Sequence, residues 1–161
     1  MNSANNKYPD YFAELYVAGR LADADWNVYF PHRDKGFDFI IEKRAGDKSI
    51  IRPVQVKGKY PTATKSDKQV FGINTKLTTQ PEMVLAIPYF SPGSKEIPVC
   101  IAYMPFSRLK KTKRGFKCEP AKFKNGLPSP RRDSKDFFGE IGIQRLEKEG
   151  WSKNESSPKS G

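Results

Sequence analysis

The sequence predicts an α/β protein: a central mixed β-sheet with flanking helices. Three observations predict it. A segment with helical period opens the chain, three runs with β period follow closely, and two apolar β-like runs come after a polar interval. Helix, three strands, a connection and two strands is the order of elements that a covered mixed sheet needs. The 161 residues are one domain's worth, and 11 Phe, 7 Tyr and 2 Trp supply core material although only 37% of residues are hydrophobic.

The first helix is expected from about Pro9 to Ala24. Pro9 suits a first helical turn and Asp10 favours the positive end of the helix dipole. Phe12, Leu15, Tyr16 and Ala22 fall near one stripe, with Gly19 as its weak point. In Trp26–Pro31, Trp26, Val28 and Phe30 alternate with Asn27 and Tyr29, as in a strand. Phe37–Glu42 is the second strand, with Phe37, Phe39 and Ile41 facing one way and Asp38, Ile40 and Glu42 the other. Ala45–Ser49, holding Gly46 and Asp47, is a hairpin turn. Ile50–Gly58 is the third strand, and Pro53 belongs near an unpaired backbone position.

After the polar loop Tyr60–Lys68, Gln69–Ile73 reads as a further strand and Asn74–Pro81 as one helical turn or a loop. Glu82–Tyr89 and Ile97–Pro105 are apolar β runs joined across Phe90–Glu96 and its Ser-Pro-Gly turn. A last helix is expected over Ser134–Glu149, weakened by Gly139 and Gly142. Residues 1–106 form the core of this scheme, 107–151 a basic segment packed on it or extending it, and 152–161 a polar tail expected to be disordered.

Charge is concentrated in that second segment. The chain carries a formal +11, and eleven cations against two acids between Ser107 and Lys135 account for +9 of it. With Gly115, Gly126, Pro120, Pro128 and Pro130 among them, these residues read as an irregular arm. Such a bias favours a polyanionic partner, nucleic acid ahead of an acidic membrane surface. Phe116 and Phe123 either stack on such a partner or anchor the arm to the body. No apolar run spans a bilayer and the first residues lack a signal peptide's hydrophobic stretch, so a cytoplasmic rather than membrane or secreted protein is expected. Cys100 and Cys118 cannot build a disulfide framework, and Cys100 reads as a small buried hydrophobe. With His32 the only histidine, a histidine metal cage or Ser-His-Asp triad is almost excluded, and no phosphate-loop glycine pattern is present.

One constellation could carry chemistry. In Val54-Gln55-Val56-Lys57 the valines face one side, Gln55 and Lys57 the other, and the neighbouring strand offers Asp38 from a similar position. A hairpin across Ala45–Ser49 brings a carboxylate, an amide and an ammonium to one patch. The same pattern fits a solvated hairpin face on which Asp38 and Lys57 make a surface pair.

Glu14 on the leading helix, then Gly36-Phe37-Asp38, then Val54-Gln55-Val56-Lys57-Gly58 resembles the PD-(D/E)XK nuclease superfamily over roughly Pro9 to Pro105. The resemblance implies a restriction-endonuclease-like core of helix, three-stranded meander, second helix and further strand. It makes Asp38 the metal-binding aspartate, puts Gln55 at the usually acidic position of the tripeptide, makes Lys57 its lysine and Glu14 the acid that many members add from the helix. Phe37 stands where the motif has proline. The implied activity is Mg²⁺-dependent endonucleolytic hydrolysis of double-stranded or branched DNA, with Mn²⁺ as a substitute. Asp38, Gln55, the Val56 carbonyl and Glu14 would hold the metal, and Lys57 would orient the attacking water. DNA contacts are expected from Lys59, Arg108, Lys110, Lys111, Lys113, Arg114, Lys117, Lys122, Lys124, Arg131 and Arg132. Cutting both strands calls for a homodimer or higher symmetric homo-oligomer. Gln55 also leaves open a catalytically inactive nuclease-fold DNA-binding protein, and the charge alone leaves open an RNA-associated one.

Overall fold

The computed structural model describes residues 11–33, 36–61, 70–73, 82–94, 96–148 and 151. Helix α1 (Tyr11–Asp23) buries Ala13, Val17, Ala18 and Leu21 against the sheet. This corrects the expected stripe: Phe12 and Leu15 are 50% and 57% exposed, and only Tyr16 of the larger residues packs partly inward. Positions 13, 17 and 21 also share a helix face, and the sheet beneath already supplies Trp26, Phe39 and Ile41. Small helix residues fit that bulky surface at close-packed density.

Strands β1 (Asn27–Tyr29), β2 (Phe39–Ala45) and β3 (Lys48–Val56) form an antiparallel meander, turning between β2 and β3 at Gly46-Asp47. Gly46 adopts φ +63°, a conformation that glycine reaches without steric cost. The hairpin register sets Phe39 opposite Val54 and Ala45 opposite Lys48. Strand β4 (Val70–Ile73) leaves this sheet to pair with residues Gly115–Cys118 further along the chain. Strand β5 (Val84–Tyr89) lies parallel to β3, and β6 (Cys100–Pro105) antiparallel to β5, giving the order β1-β2-β3-β5-β6. A parallel pair requires a long crossover, here residues 57–83, of which the expected turn or loop at Asn74–Pro81 lies outside the described residues. The ladder to β5 starts at Val54, so the N–H that Pro53 lacks falls where β5 has not yet joined.

Both faces of the sheet are covered. Phe39, Ile41, Val54, Val56, Val84 and Ala86 pack under α1 and against Ile143, Leu146 and Trp151. Leu85, Ile87, Tyr89 and Met104 face the other way, against Phe116, Cys118, Ala121, Phe137 and Phe138. Burial from both sides is why β5 is an unbroken apolar run.

The second cover comes from the basic segment, which is not the irregular arm expected from its glycines and prolines. It folds into β7 (Lys110–Thr112) and β8 (Gly115–Cys118), then β9 (Ala121–Lys124) and β10 (Leu127–Pro130). The glycines serve the turns, and alternation turns Phe116 and Cys118 inward while Lys117 faces out. Phe116 meets Phe106 at 5.0 Å and Phe123 meets Tyr89 at 5.8 Å between ring centres, so both aromatics anchor the segment. Cys118 is buried, whereas Cys100 is only half-buried.

The last helix is shorter than expected. A 3-10 turn at Lys135–Phe137 precedes α2 (Gly139–Arg145). Gly139 has φ +59°, and a Cβ on Gly142 would overlap the Phe137 carbonyl, so these glycines fix where the helix starts and how closely it approaches the turn. Arg52 of β3, 3% exposed, ties this end to the sheet. Its Nε donates to the Leu146 carbonyl at 2.7 Å, its Nη2 to the Lys148 carbonyl at 3.1 Å, and it pairs with Glu82 beneath the Trp151 ring. Among the described residues no helix is long and apolar enough to cross a membrane.

Candidate active site

The hairpin register explains how three distant residues meet. With Phe39 opposite Val54, Asp38 lies level with Gln55, and both alternate with residues that face α1. The Asp38 N–H donates to the Val54 carbonyl at 2.8 Å. Its Oδ2 accepts the Val56 N–H at 2.6 Å, which pins the carboxylate beside the end of β3.

Beyond Val56 the chain stays extended along β5. The Lys57 N–H donates to the Ala86 carbonyl at 2.9 Å and the Lys59 N–H to the Pro88 carbonyl at 2.8 Å. Alternation therefore puts Gln55, Lys57 and Lys59 on one face, the one away from α1, and Val56 and Tyr60 on the other. Tyr60 stacks on Phe90 with ring centres 4.5 Å apart. The same hydrogen-bond pattern turns the Val56 N–H and C=O to the β2 side of β3, where Asp38 sits.

Gln55 is half-buried, and its Oε1 is sealed from solvent with no hydrogen-bond partner among the described residues. An unmet buried acceptor costs about 1–3 kcal/mol, so a donor or a cation at that oxygen would be stabilising. A carboxylate, an amide oxygen and a main-chain carbonyl are the hard oxygen donors that Mg²⁺ takes. Asp38, Gln55 and Val56 thus fit a divalent cation by donor type.

Glu14 is half-buried on α1, which covers the opposite face of the sheet from Gln55 and Lys57. Among the described residues no three His, Cys, Asp or Glu side chains converge. His32 is exposed in the turn after β1.

The basic residues divide over two small β-units. Arg108, Lys110, Lys111, Lys113, Arg114 and Lys117 belong to the β7–β8 hairpin and its approach; Lys122 and Lys124 lie on β9. Arg132 is exposed in the turn that follows β10. Arg131 is already engaged: its Nη2 donates to Glu119 Oε1 at 2.9 Å and its Nε to the Glu119 carbonyl at 3.0 Å. Sequence reasoning missed that compensation. It also missed the Val56 N–H as the partner of Asp38, although the position of the Gly46-Asp47 turn encodes the register that creates it. No protein-family model matches this chain, and no curated protein matches it.

Proposed function

We propose that this chain is a metal-dependent endodeoxyribonuclease built on a restriction-endonuclease-like core. The element order supports the reading: α1, the meander β1–β3, a crossover, and β5 parallel to β3, with Asp38 immediately before β2, Gln55-Val56 closing β3 and Lys57 directly after it. The observation that carries it is the buried Gln55 Oε1, without a hydrogen-bond partner among the described residues, level with a carboxylate that the Val56 N–H holds in place.

Asp38, Gln55 Oε1 and the Val56 carbonyl would hold Mg²⁺, with Mn²⁺ able to replace it. The bound cation supplies Lewis-acid stabilisation of phosphoryl charge and a water of lowered pKa. The Val56 N–H holds Asp38 through Oδ2, which fixes the carboxylate at the end of β3 where the cation would sit. Lys57, on the same face as Gln55, orients the attacking water and offsets the negative charge that develops at phosphorus. Glu14 lies half-buried on α1, and Glu14→Gln reports whether it contributes at all. Lys59 and the basic β-units neutralise backbone phosphates, which makes affinity fall steeply with salt. Duplex cleavage would use two copies related by symmetry.

The test is Mg²⁺-dependent cleavage of linear, supercoiled and four-way-junction DNA by wild type, Lys57→Ala and Asp38→Asn. Each substitution should lower cleavage by at least about 10²-fold while the far-UV circular dichroism stays that of wild type. Undiminished cleavage by Lys57→Ala, with contaminating nuclease excluded, overturns the assignment. The neutral amide of Gln55 favours a second reading, a nuclease-fold DNA-binding protein without cleavage. Salt-sensitive DNA binding with no cleavage in Mg²⁺ or Mn²⁺ would establish it.

A further inference from the structure

A cavity of about 490 Å³ lies among the end of β6, the 3-10 turn Phe106–Arg108, the β7–β8 hairpin and the turn after β10. Its lining includes apolar Met104, Leu109 and Pro120, and four cations there (Arg108, Lys110, Lys117 and Arg131) face two acids, Glu119 and Asp133. Lys110 and Lys117, both lining it, stand directly opposite each other in the β7–β8 register. Like charges in that relation repel and destabilise the hairpin. Among the described residues neither lysine, nor Arg108 beside them, has a carboxylate within ion-pair distance. The Arg108 guanidinium lies over the Phe137 ring, 5.2 Å from its centre.

Of the other charged groups of the lining, Asp133 alone offsets part of this charge, which leaves a net excess of two cations. Arg131 and Glu119 neutralise one another at 2.9 Å. Asp133 Oδ1 accepts the Ser134 hydroxyl at 3.2 Å. Burial pushes the Cys118 thiol up to about 12, so it stays neutral near pH 7. Ser107 Oγ is buried in the lining with no hydrogen-bond partner among the described residues.

We propose that this cavity binds a phosphoryl group, held by Lys110, Lys117 and Arg108 with the Ser107 hydroxyl donating a fourth hydrogen bond. Three cations and a hydroxyl match an anion with three acceptor oxygens and up to two charges better than a carboxylate with two oxygens and one. An anion here relieves the cross-strand repulsion, which is why the hairpin tolerates two facing lysines. The volume is that of a small-molecule site, and the apolar part of the lining suits an organic group attached to the phosphoryl. Met104 shares a cross-strand row with Leu85 and Gln55, so this side of the cavity lies two strand spacings, roughly 10 Å, from Gln55. The phosphoryl therefore belongs either to a free phosphorylated molecule or to a nucleic acid that also reaches Gln55. Only the second source rests on the nuclease reading.

The experiment uses the full chain in EDTA, so that no cleavage is involved. Inorganic phosphate should raise the melting temperature saturably above a chloride control of equal ionic strength. Lys110→Gln and Lys117→Gln, freed of the repulsion, should melt no lower than wild type without phosphate and bind it about tenfold more weakly; Ser107→Ala should also weaken it. Lys57→Ala should bind phosphate as wild type does whatever its effect on cleavage, which separates failure here from failure of the nuclease reading. Tighter binding of a 5′-phosphorylated duplex than of its unphosphorylated twin, erased by Lys117→Gln, supports the site with a chain end as its ligand. Equal binding of both duplexes, weakened by Lys117→Gln, supports it with a backbone phosphate, and duplex binding indifferent to that substitution supports it with a free phosphorylated molecule. A phosphate response that never saturates, or that survives both lysine substitutions undiminished, overturns it.

Discussion

Gln55→Met separates a metal-binding amide from a merely misplaced polar group. The substitution keeps the length and flexibility of the side chain and removes the sealed Oε1 that has no partner among the described residues. Leaving such an acceptor unmet costs about 1–3 kcal/mol, and Met loses whatever the amide nitrogen contributes, so a net gain of about 1–2 kcal/mol is expected in chelator. For a chain of this size that raises the melting temperature by roughly 2–8 °C. Wild type should respond to Mg²⁺ in the opposite order: with a dissociation constant of about 1 mM, about 10 mM cation adds about 1.4 kcal/mol, or roughly 3–6 °C. Gln55→Met should lose that increment, so the two proteins converge or exchange rank when EDTA is replaced by Mg²⁺. Gln55→Glu carries the reverse signs, less stable in EDTA because it faces Asp38 and more responsive to Mg²⁺. Differential scanning fluorimetry in EDTA, Mg²⁺ and matched NaCl measures all three. A Gln55→Met protein that melts below wild type in EDTA and keeps the full Mg²⁺ increment would refute this reasoning.

Two further expectations concern the scaffold. Arg52→Ala removes two charge-assisted hydrogen bonds to the Leu146 and Lys148 carbonyls and should cost about 3–5 kcal/mol, read from urea denaturation. Arg52→Lys should recover less than half of this, because a point charge cannot span both carbonyls, and a loss under about 1 kcal/mol for Arg52→Ala would remove the clamp. Burial pushes the Cys118 thiol up to about 12 and the Cys100 thiol to about 11, from an ordinary 9. The folded state then keeps protons that the unfolded chain releases, so this contribution is complete below pH 9 and lost as pH rises toward 11 and 12. Buried Tyr89 and Tyr103, also shifted upward, add to the same alkaline loss. Denaturation midpoints should fall between pH 9 and 11, less steeply in Cys118→Ala; a flat profile would contradict the burial of these groups.

Much of this molecule is written in local pattern. Period-two alternation around Phe39, Ile41, Val54 and Val56, and the Gly46-Asp47 turn, determine the β2–β3 hairpin, and through its register the placing of Asp38 level with Gln55. These are short-range properties, set by backbone geometry and turn chemistry. Which side of α1 meets the sheet was not local: a stripe of large residues competed with a stripe of small ones, and the bulk already on the sheet decided for Ala13, Val17 and Leu21. The basic segment likewise looked irregular because glycine and proline are common in turns, yet Gly115 opens β8 and Pro128 and Pro130 lie within β10. Only the exposed apolar face of β5 and β6 gave Phe116, Cys118 and Ala121 a surface on which to fold as strands. The Arg52 clamp, the compensation of Arg131 by Glu119 and the facing pair Lys110 and Lys117 also arise only in three dimensions. Burial and pairing depend on which segments meet, and a charge in a sequence does not carry the name of its neighbour.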